Sequence, residues 1–60
     1  MVLIKAAECR SHVARARDAL ALADALLERE ETLSAHERRR RTLALKRAMQ
    51  HAKVAWAIAT

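Results

Sequence analysis

The chain is 60 residues long, contains no Gly and no Pro, and carries a formal net charge of +5. That length allows one small domain at most. With Trp56 as the only aromatic residue and no glycine to make tight turns, there is no material for a β-sheet core, and the abundance of Ala, Arg and Leu, all strong helix formers, places the chain in the all-α class.

A chain of this size buries little. A lone helix pair has a single buried seam, and many seam positions here are Ala. A fully buried Leu-sized side chain stabilises by roughly 1.5–3 kcal/mol, ordering costs about 1.5 kcal/mol per residue, and the two nearly cancel. The expectation is a dimer or a hairpin docked on a larger partner. The basic balance points to nucleic acid, an anionic membrane surface or an acidic protein as partner, against the plainer reading in which Arg is the default solubilising residue of an Ala- and Leu-rich chain. Cys9 stands alone, so no internal disulfide forms. Met1-Val2-Leu3-Ile4 is broken at Lys5, too short for the apolar core of a signal peptide, and no run approaches the roughly 18 apolar residues of a membrane span. A reducing cytoplasm is the expected compartment.

From Val2 to Leu27 the apolar residues follow a heptad, with Ala6, Val13, Leu20 and Leu27 at a and Val2, Cys9, Ala16 and Ala23 at d. Ala19 and Leu26 widen this stripe on one side, while Leu3, Ile4, Leu22 and Ala25 make a second, weaker strip. Residues 1–17 are basic, whereas Asp18, Asp24, Glu28, Glu30 and Glu31 gather toward the C-terminal end, where the helix dipole disfavours them.

Continuing the heptad would put Glu30, Ser34, Glu37 and Arg41 on the seam, four polar positions in succession. Within the same stretch Ser34 and Glu37 form an S-x-x-E capping box, which starts a new helix. A good seam returns one residue out of phase at Leu45, Met49, Ala52, Trp56 and Ala59. The phase slip, the polar gap and the cap predict a chain reversal in preference to one continuous helix. The expected architecture is an antiparallel, coiled-coil-like two-helix hairpin spanning residues 1–60, with helices over 2–31 and 35–59 and a turn at 32–34.

Four consecutive arginines, Arg38 to Arg41, encircle the start of the second helix, the wrong end for the dipole. Reversal at 32–34 brings them alongside Asp24 to Glu31 and makes the two runs an electrostatic latch, although exposed pairs contribute only about 0–1 kcal/mol each. The same pairing places Trp56 near Cys9 and Val13, and Leu45 and Met49 near Ala19 and Leu20. The open end gathers Val2, Leu3, Ile4, Val54, Trp56 and Ile58, which one seam cannot hide. It is the expected docking surface, with Trp56 as anchor, against the alternative that Trp56 plugs the hairpin's own core.

Chemistry is sparse. Cys9 and His12 share a helix face at i,i+3 with His51 across the hairpin, but a structural zinc needs about four ligands and no second pair exists. A Cys–His nucleophile needs an orienting group and a cavity, and no phosphate-binding Gly-rich loop is present. No catalytic residue, cofactor or metal is expected, and the chain does not read as an enzyme. Nucleic acid is the competing partner. Arg38, Arg39, Arg40 and Arg41 with Lys46, Arg47 and Lys53 form a candidate phosphate track, as in the small dimeric RNA-binding hairpins of the Rop type, which this chain resembles in length and shape. No aromatic residues are interleaved to stack on bases.

The second half, with Leu33-Ser34-Ala35-His36-Glu37 followed by Leu45, Ala48, Met49, Ala52, Val54 and Ile58, resembles the second helix of the small YscE-type co-chaperones of bacterial type III secretion. The resemblance covers roughly residues 30–58. It implies a helical hairpin that joins a tetratricopeptide-like chaperone, the pair keeping a needle-type subunit soluble in the cytoplasm, with Leu45, Met49, Ala52, Trp56 and Ile58 as contact residues. The chain departs from that pattern in its strong basicity and in a turn without Gly or Pro. The function expected from residues and resemblance together is a cytoplasmic protein-binding module acting by helix packing through Leu45, Met49, Ala52, Val54, Trp56, Ile58, Leu3 and Ile4, or by self-association; the alternative is a homodimeric basic hairpin that binds RNA or DNA.

Overall fold

The computed structural model describes residues 2–60; the side chains of Val2, Leu3 and Ile4 lie outside the described residues. Two long α-helices, α1 (Val2–Leu27) and α2 (Ala35–Ala59), are joined by a 3₁₀ turn at Glu30–Thr32. They pack antiparallel along their length into a rod 48 × 13 × 13 Å, the expected hairpin. Among the described residues there is no strand and no helix long and apolar enough to cross a membrane.

The helix pair closes on a seam of small side chains. On α1 the covered positions are Cys9, His12, Ala16, Ala19, Ala23 and Leu26, and on α2 they are Ala44, Ala48, His51, Ala55 and Ile58. Spacings of three and four alternate on both, as two packed helices require. Ala16, Ala23, Ala44, Ala48 and Ala55 are fully buried, and Leu26 and Leu33 are the large apolar residues that join them, both near the turn.

This seam differs in phase from the expected one. Of the d positions of α1, Cys9, Ala16 and Ala23 are inside with Ala19 and Leu26 beside them, but Val13, Leu20 and Leu27 are exposed. On α2 the seam lies one position earlier than predicted, so Leu45, Met49, Ala52, Trp56 and Ala59 face solvent. The physical reason is distance. Interaxial separation depends on the side chains at the contact, about 8–10 Å overall. Alanine allows the closest approach, and close approach gains dispersion contacts along the whole length of both helices. Leucine at the same positions would hold the helices apart.

α1 ends at Leu27, four residues before the expected Glu31. The backbone tightens there: Arg29 N–H donates to the Leu26 carbonyl at 3.0 Å and Thr32 N–H to the Arg29 carbonyl at 2.9 Å, both three-residue steps. Leu33 (φ −68°, ψ 135°) and Ser34 (φ −71°, ψ 167°) are extended and turn the chain into α2. No described residue has positive φ, so the reversal has no position at which glycine is needed.

Ser34 is the N-cap of α2. Its hydroxyl accepts from Glu37 N–H at 3.2 Å, and the Glu37 carboxylate accepts from Ser34 N–H at 3.1 Å, completing the capping box. A second Glu37 oxygen meets Arg29 at 3.2 Å, and Arg41 pairs with Glu30, so two ion pairs bind the turn to α2. The latch is narrower than expected. Within Arg38–Arg41, Arg41 engages the acidic stretch, while Arg38, Arg39 and Arg40 are exposed and form no ion pair among the described residues.

The Ser34 backbone donor and then the Ser34 hydroxyl hold the Glu37 carboxyl below its ordinary value; desolvation opposes them, and Arg29 adds a smaller lowering effect. The sign follows directly. A depressed carboxylate adds stability that is complete above the ordinary Glu range and is lost as pH falls through the lower folded value. Ser34→Ala should cost about 1 kcal/mol in thermal or urea unfolding, and NMR titration should find the Glu37 carboxyl shifted back up in that variant. An unchanged Glu37 titration would mean that the Ser34 hydroxyl does not act on the Glu37 carboxylate in solution.

Candidate functional site

The two seam contacts that cross the hairpin define its sides. The Cys9 thiol donates to the Ala55 carbonyl at 3.3 Å, and His12 Nδ1 lies 3.0 Å from His51 Nδ1. Cys9, Ala16 and Ala23 therefore run along the same edge of the seam as Ala48 and Ala55, and His12 and Ala19 along the edge of Ala44 and His51. Residues three or four away from each edge flank it on the outside. Beside the Cys9 edge stand Val13, Leu20 and Leu27 on α1 and Leu45 and Ala52 on α2, with Met49 and Trp56 one step further out. Beside the His12 edge stand Asp18, Leu22, Arg40, Leu43 and Arg47, which line one groove together.

The two sides differ in character. On the first, Val13 is 44% exposed, Leu20 50%, Leu27 47%, Leu45 42%, Met49 52% and Trp56 71%. The register set by Cys9–Ala55 and His12–His51 brings Leu20 level with Leu45 and Val13 level with Ala52, so these residues form one continuous strip across both helices. On the second side, Leu22 (40% exposed) and Leu43 (44%) line one groove together with Asp18, Arg40 and Arg47, so charge is mixed with the apolar residues there. Solvated apolar residues scattered singly need no explanation, but a contiguous face does.

The expected docking residues divide among these surfaces. Leu45, Met49, Ala52 and Trp56 share the continuous face, and Trp56 does not plug the hairpin core. Val54 lies on the opposite side, where it lines a depression with Glu8, Ala57 and Ile58. Ile58 is half-buried in the seam. Leu3 and Ile4 lie outside the described residues. The structure adds Val13, Leu20 and Leu27, which sequence reasoning had placed inside, to the exposed apolar residues of the candidate surface. Their seven-residue spacing was the available signal; which of two neighbouring stripes faces inward was not.

Of the alternative nucleic-acid residues, Arg38, Arg39, Arg40, Lys46 and Arg47 are exposed, while Arg41 is half-buried against Glu30. Arg40 and Arg47 lie on the mixed side and Lys46 at the outer edge of α2, so the cations are distributed around the helix and do not form one track.

The seam holds Cys9, His12 and His51. His12 and His51 are half-buried with ring centroids 5.2 Å apart, one imidazole donating to the other. Cys9 is half-buried and its thiol is committed to a carbonyl. Among the described residues no group of three or more His, Cys, Asp or Glu comes together as a metal site. What the arrangement offers chemically is an apolar surface.

No family model matches the chain, and neither a curated protein nor a solved structure matches it.

The seam phase can be checked by paired substitutions. Ala48→Leu forces a branched side chain between helices in close contact and should cost about 1–3 kcal/mol. Leu45→Ala, three residues away, removes an exposed side chain and should change stability by less than about 0.5 kcal/mol. Urea unfolding at micromolar concentration distinguishes them, and the reverse order would restore the leucine seam.

Proposed function

We propose that this chain is a small protein–protein interaction module that acts by helix packing through the apolar face of Val13, Leu20, Leu27, Leu45, Met49 and Trp56. One observation carries the reading: the hairpin buries alanine and displays its larger apolar side chains. Exposed patches of this kind mark interaction sites, and an exposed Trp flanked by aliphatic residues is the composition of a binding anchor. The mechanism is stoichiometric cover. The face shields a partner's apolar helix surface, and the partner in turn supplies the burial that an alanine seam lacks. The chain is read as non-catalytic and cytoplasmic.

The finer reading is a co-chaperone that keeps a self-assembling secreted subunit soluble together with a tetratricopeptide-like chaperone. Its support is the spacing of Leu45, Ala48, Met49, Ala52 and Ile58 that resembles the YscE-type hairpins. Within that reading Leu45, Met49 and Ala52 make the contact, while Ala48 and Ile58 hold the hairpin together.

The exposure of Arg38, Arg39 and Arg40 favours a second reading, a basic hairpin that binds RNA or DNA. The two readings separate on salt. Phosphate binding through several arginines weakens by orders of magnitude between about 50 and 200 mM salt and disappears when Arg38, Arg39 and Arg40 become Gln. A complex made through the apolar face survives that salt range, and Trp56→Ala or Met49→Glu removes it. Co-purification of tagged wild type and these variants from the native host decides the matter: retention of the same partner by Met49→Glu and Trp56→Ala would exclude the apolar face as the binding surface.

A further inference from the structure

The face has a frame as well as an apolar centre. Arg10 and Arg17 border it on α1, where they line a shallow depression together with Val13. Lys46 and Lys53 border it on α2, Lys46 three residues from Met49 and Lys53 four from Met49 and three from Trp56. Arg38 stands at the turn end of the strip, with Asp24 across from it on α1. All six are exposed. Around Val13, Met49 and Trp56 the frame is therefore cationic, in keeping with the net charge of +5, while at the turn end Leu27 lines a depression with Glu28, Glu30 and Glu31; on the opposite side Asp18 shares a groove with Arg40 and Arg47.

This asymmetry bears on what covers the face. A second copy docked face to face would set cationic frame on cationic frame, with Lys46 and Lys53 against their own equivalents or against Arg10 and Arg17. Apolar burial would favour such a dimer and the frame would oppose it. An occupant with acidic flanks meets no such opposition, and like-charge juxtaposition is the usual means by which an interface rejects the wrong partner.

The repeat of the face fixes the occupant's geometry. Val13, Leu20 and Leu27 recur every seven residues on α1, and Met49 and Trp56 do so on α2. A seven-residue repeat on two adjacent helices forms a groove that a third helix fills with its own a and d residues. From Val13 to Leu27 the strip runs roughly 21 Å at 1.5 Å per residue, the length of a helix of about four turns.

We infer that this face seats an amphipathic helix with acidic flanks, supplied by a different chain, which completes a three-helix bundle with the hairpin. The inference rests on the reading of this face as the interaction surface and adds the chemistry of the partner. The apolar stripe of that helix covers Leu20, Leu45 and Trp56, and its Glu or Asp residues meet Arg10, Arg17, Lys46 and Lys53 at the edges. Exposed pairs of that kind set orientation and partner choice more than affinity.

Two synthetic peptides test it, each of three heptads with Leu at a and d, one with Glu and one with Lys at the flanking e and g positions. They are added to the full chain at near-physiological salt, with Trp56 emission and sedimentation mass as readouts. The Glu peptide should shift Trp56 emission to the blue, form a one-to-one complex and bind about tenfold or more tighter than the Lys peptide, a preference that shrinks as added salt screens the frame. Lys46→Glu with Lys53→Glu should reverse the preference. Leu20→Glu should abolish binding of both peptides, and Leu22→Glu on the opposite side should leave it intact. Equal affinity for the two peptides overturns the inference without any variant having to fold. A wild-type chain that sediments at twice its 6.7 kDa mass, with Trp56 emission already blue and neither peptide bound, also overturns it and gives the face to a second copy. A well-folded monomer that binds neither peptide and whose helix content and unfolding are unchanged by Leu20→Glu removes both this inference and the reading of the face as an interaction surface.

Discussion

The close approach of two helices through alanine is the constraint from which the rest of this molecule follows. Ala16 and Ala23 on α1 and Ala44, Ala48 and Ala55 on α2 carry nothing beyond Cβ into the seam. Helices packed this tightly leave no room between them for leucine, so the larger side chains are displaced to the flanks. Leu26 and Leu33 are the larger side chains that are buried, both next to the turn. The consequence is energetic as well as geometric. Apolar burial scales with area, an alanine contributes little of it, and the stability of the hairpin is therefore coupled to whatever covers the outer face.

Polar groups do at the turn what apolar bulk does in larger helical hairpins. The capping box satisfies the first N–H groups of α2, and Arg29–Glu37 and Arg41–Glu30 join the turn to it. These pairs also resolve the electrostatic oddity of the sequence. Acid at the C-terminal end of α1 and base at the N-terminal end of α2 both oppose their helix dipoles, but each supplies a partner to the other across the reversal. Because Arg41 meets that need while Arg38, Arg39 and Arg40 do not, the arginine run divides into a structural residue and three outward-facing ones.

Legibility in the sequence followed the range of the interaction. The cap was readable because Ser34 and Glu37 lie three residues apart and the rule that links them is local. The reversal was readable because the polar gap and the phase slip fall on the same residues. The phase of the seam was not. α1 carries two neighbouring stripes with equally regular spacing, one rich in Ala and one containing Val13, Leu20 and Leu27, and hydrophobicity ranks the second higher. Sterics between two whole helices chose the first, a criterion absent from either helix alone. The same error carried over to α2, where it placed Leu45 and Met49 inside and kept Trp56 close to Cys9. The stop at Leu27 was equally hidden, since Glu28 and Arg29 are ordinary helix formers and the helix ends there for the sake of the turn geometry.

An alanine seam raises a further difficulty, which its polar members address. Alanines are interchangeable: sliding one helix by a heptad would set Ala on Ala again at almost no steric cost. The seam as observed is punctuated by contacts that do not survive such a slide. His12 meets His51 and the Cys9 thiol meets the Ala55 carbonyl, and near the turn Glu30 meets Arg41. Displacement by seven residues would leave both imidazoles half-buried opposite side chains with no hydrogen-bonding atom, a loss of the kind that fixes register when single polar residues are placed in coiled-coil seams. Register in turn fixes the outer face. Leu20 is level with Leu45, and Val13 with Ala52, only in the alignment these contacts select; in any other, the apolar residues of the two helices would fall out of step and the strip would break into isolated side chains. The polar seam residues thus hold the two rows of apolar residues in alignment.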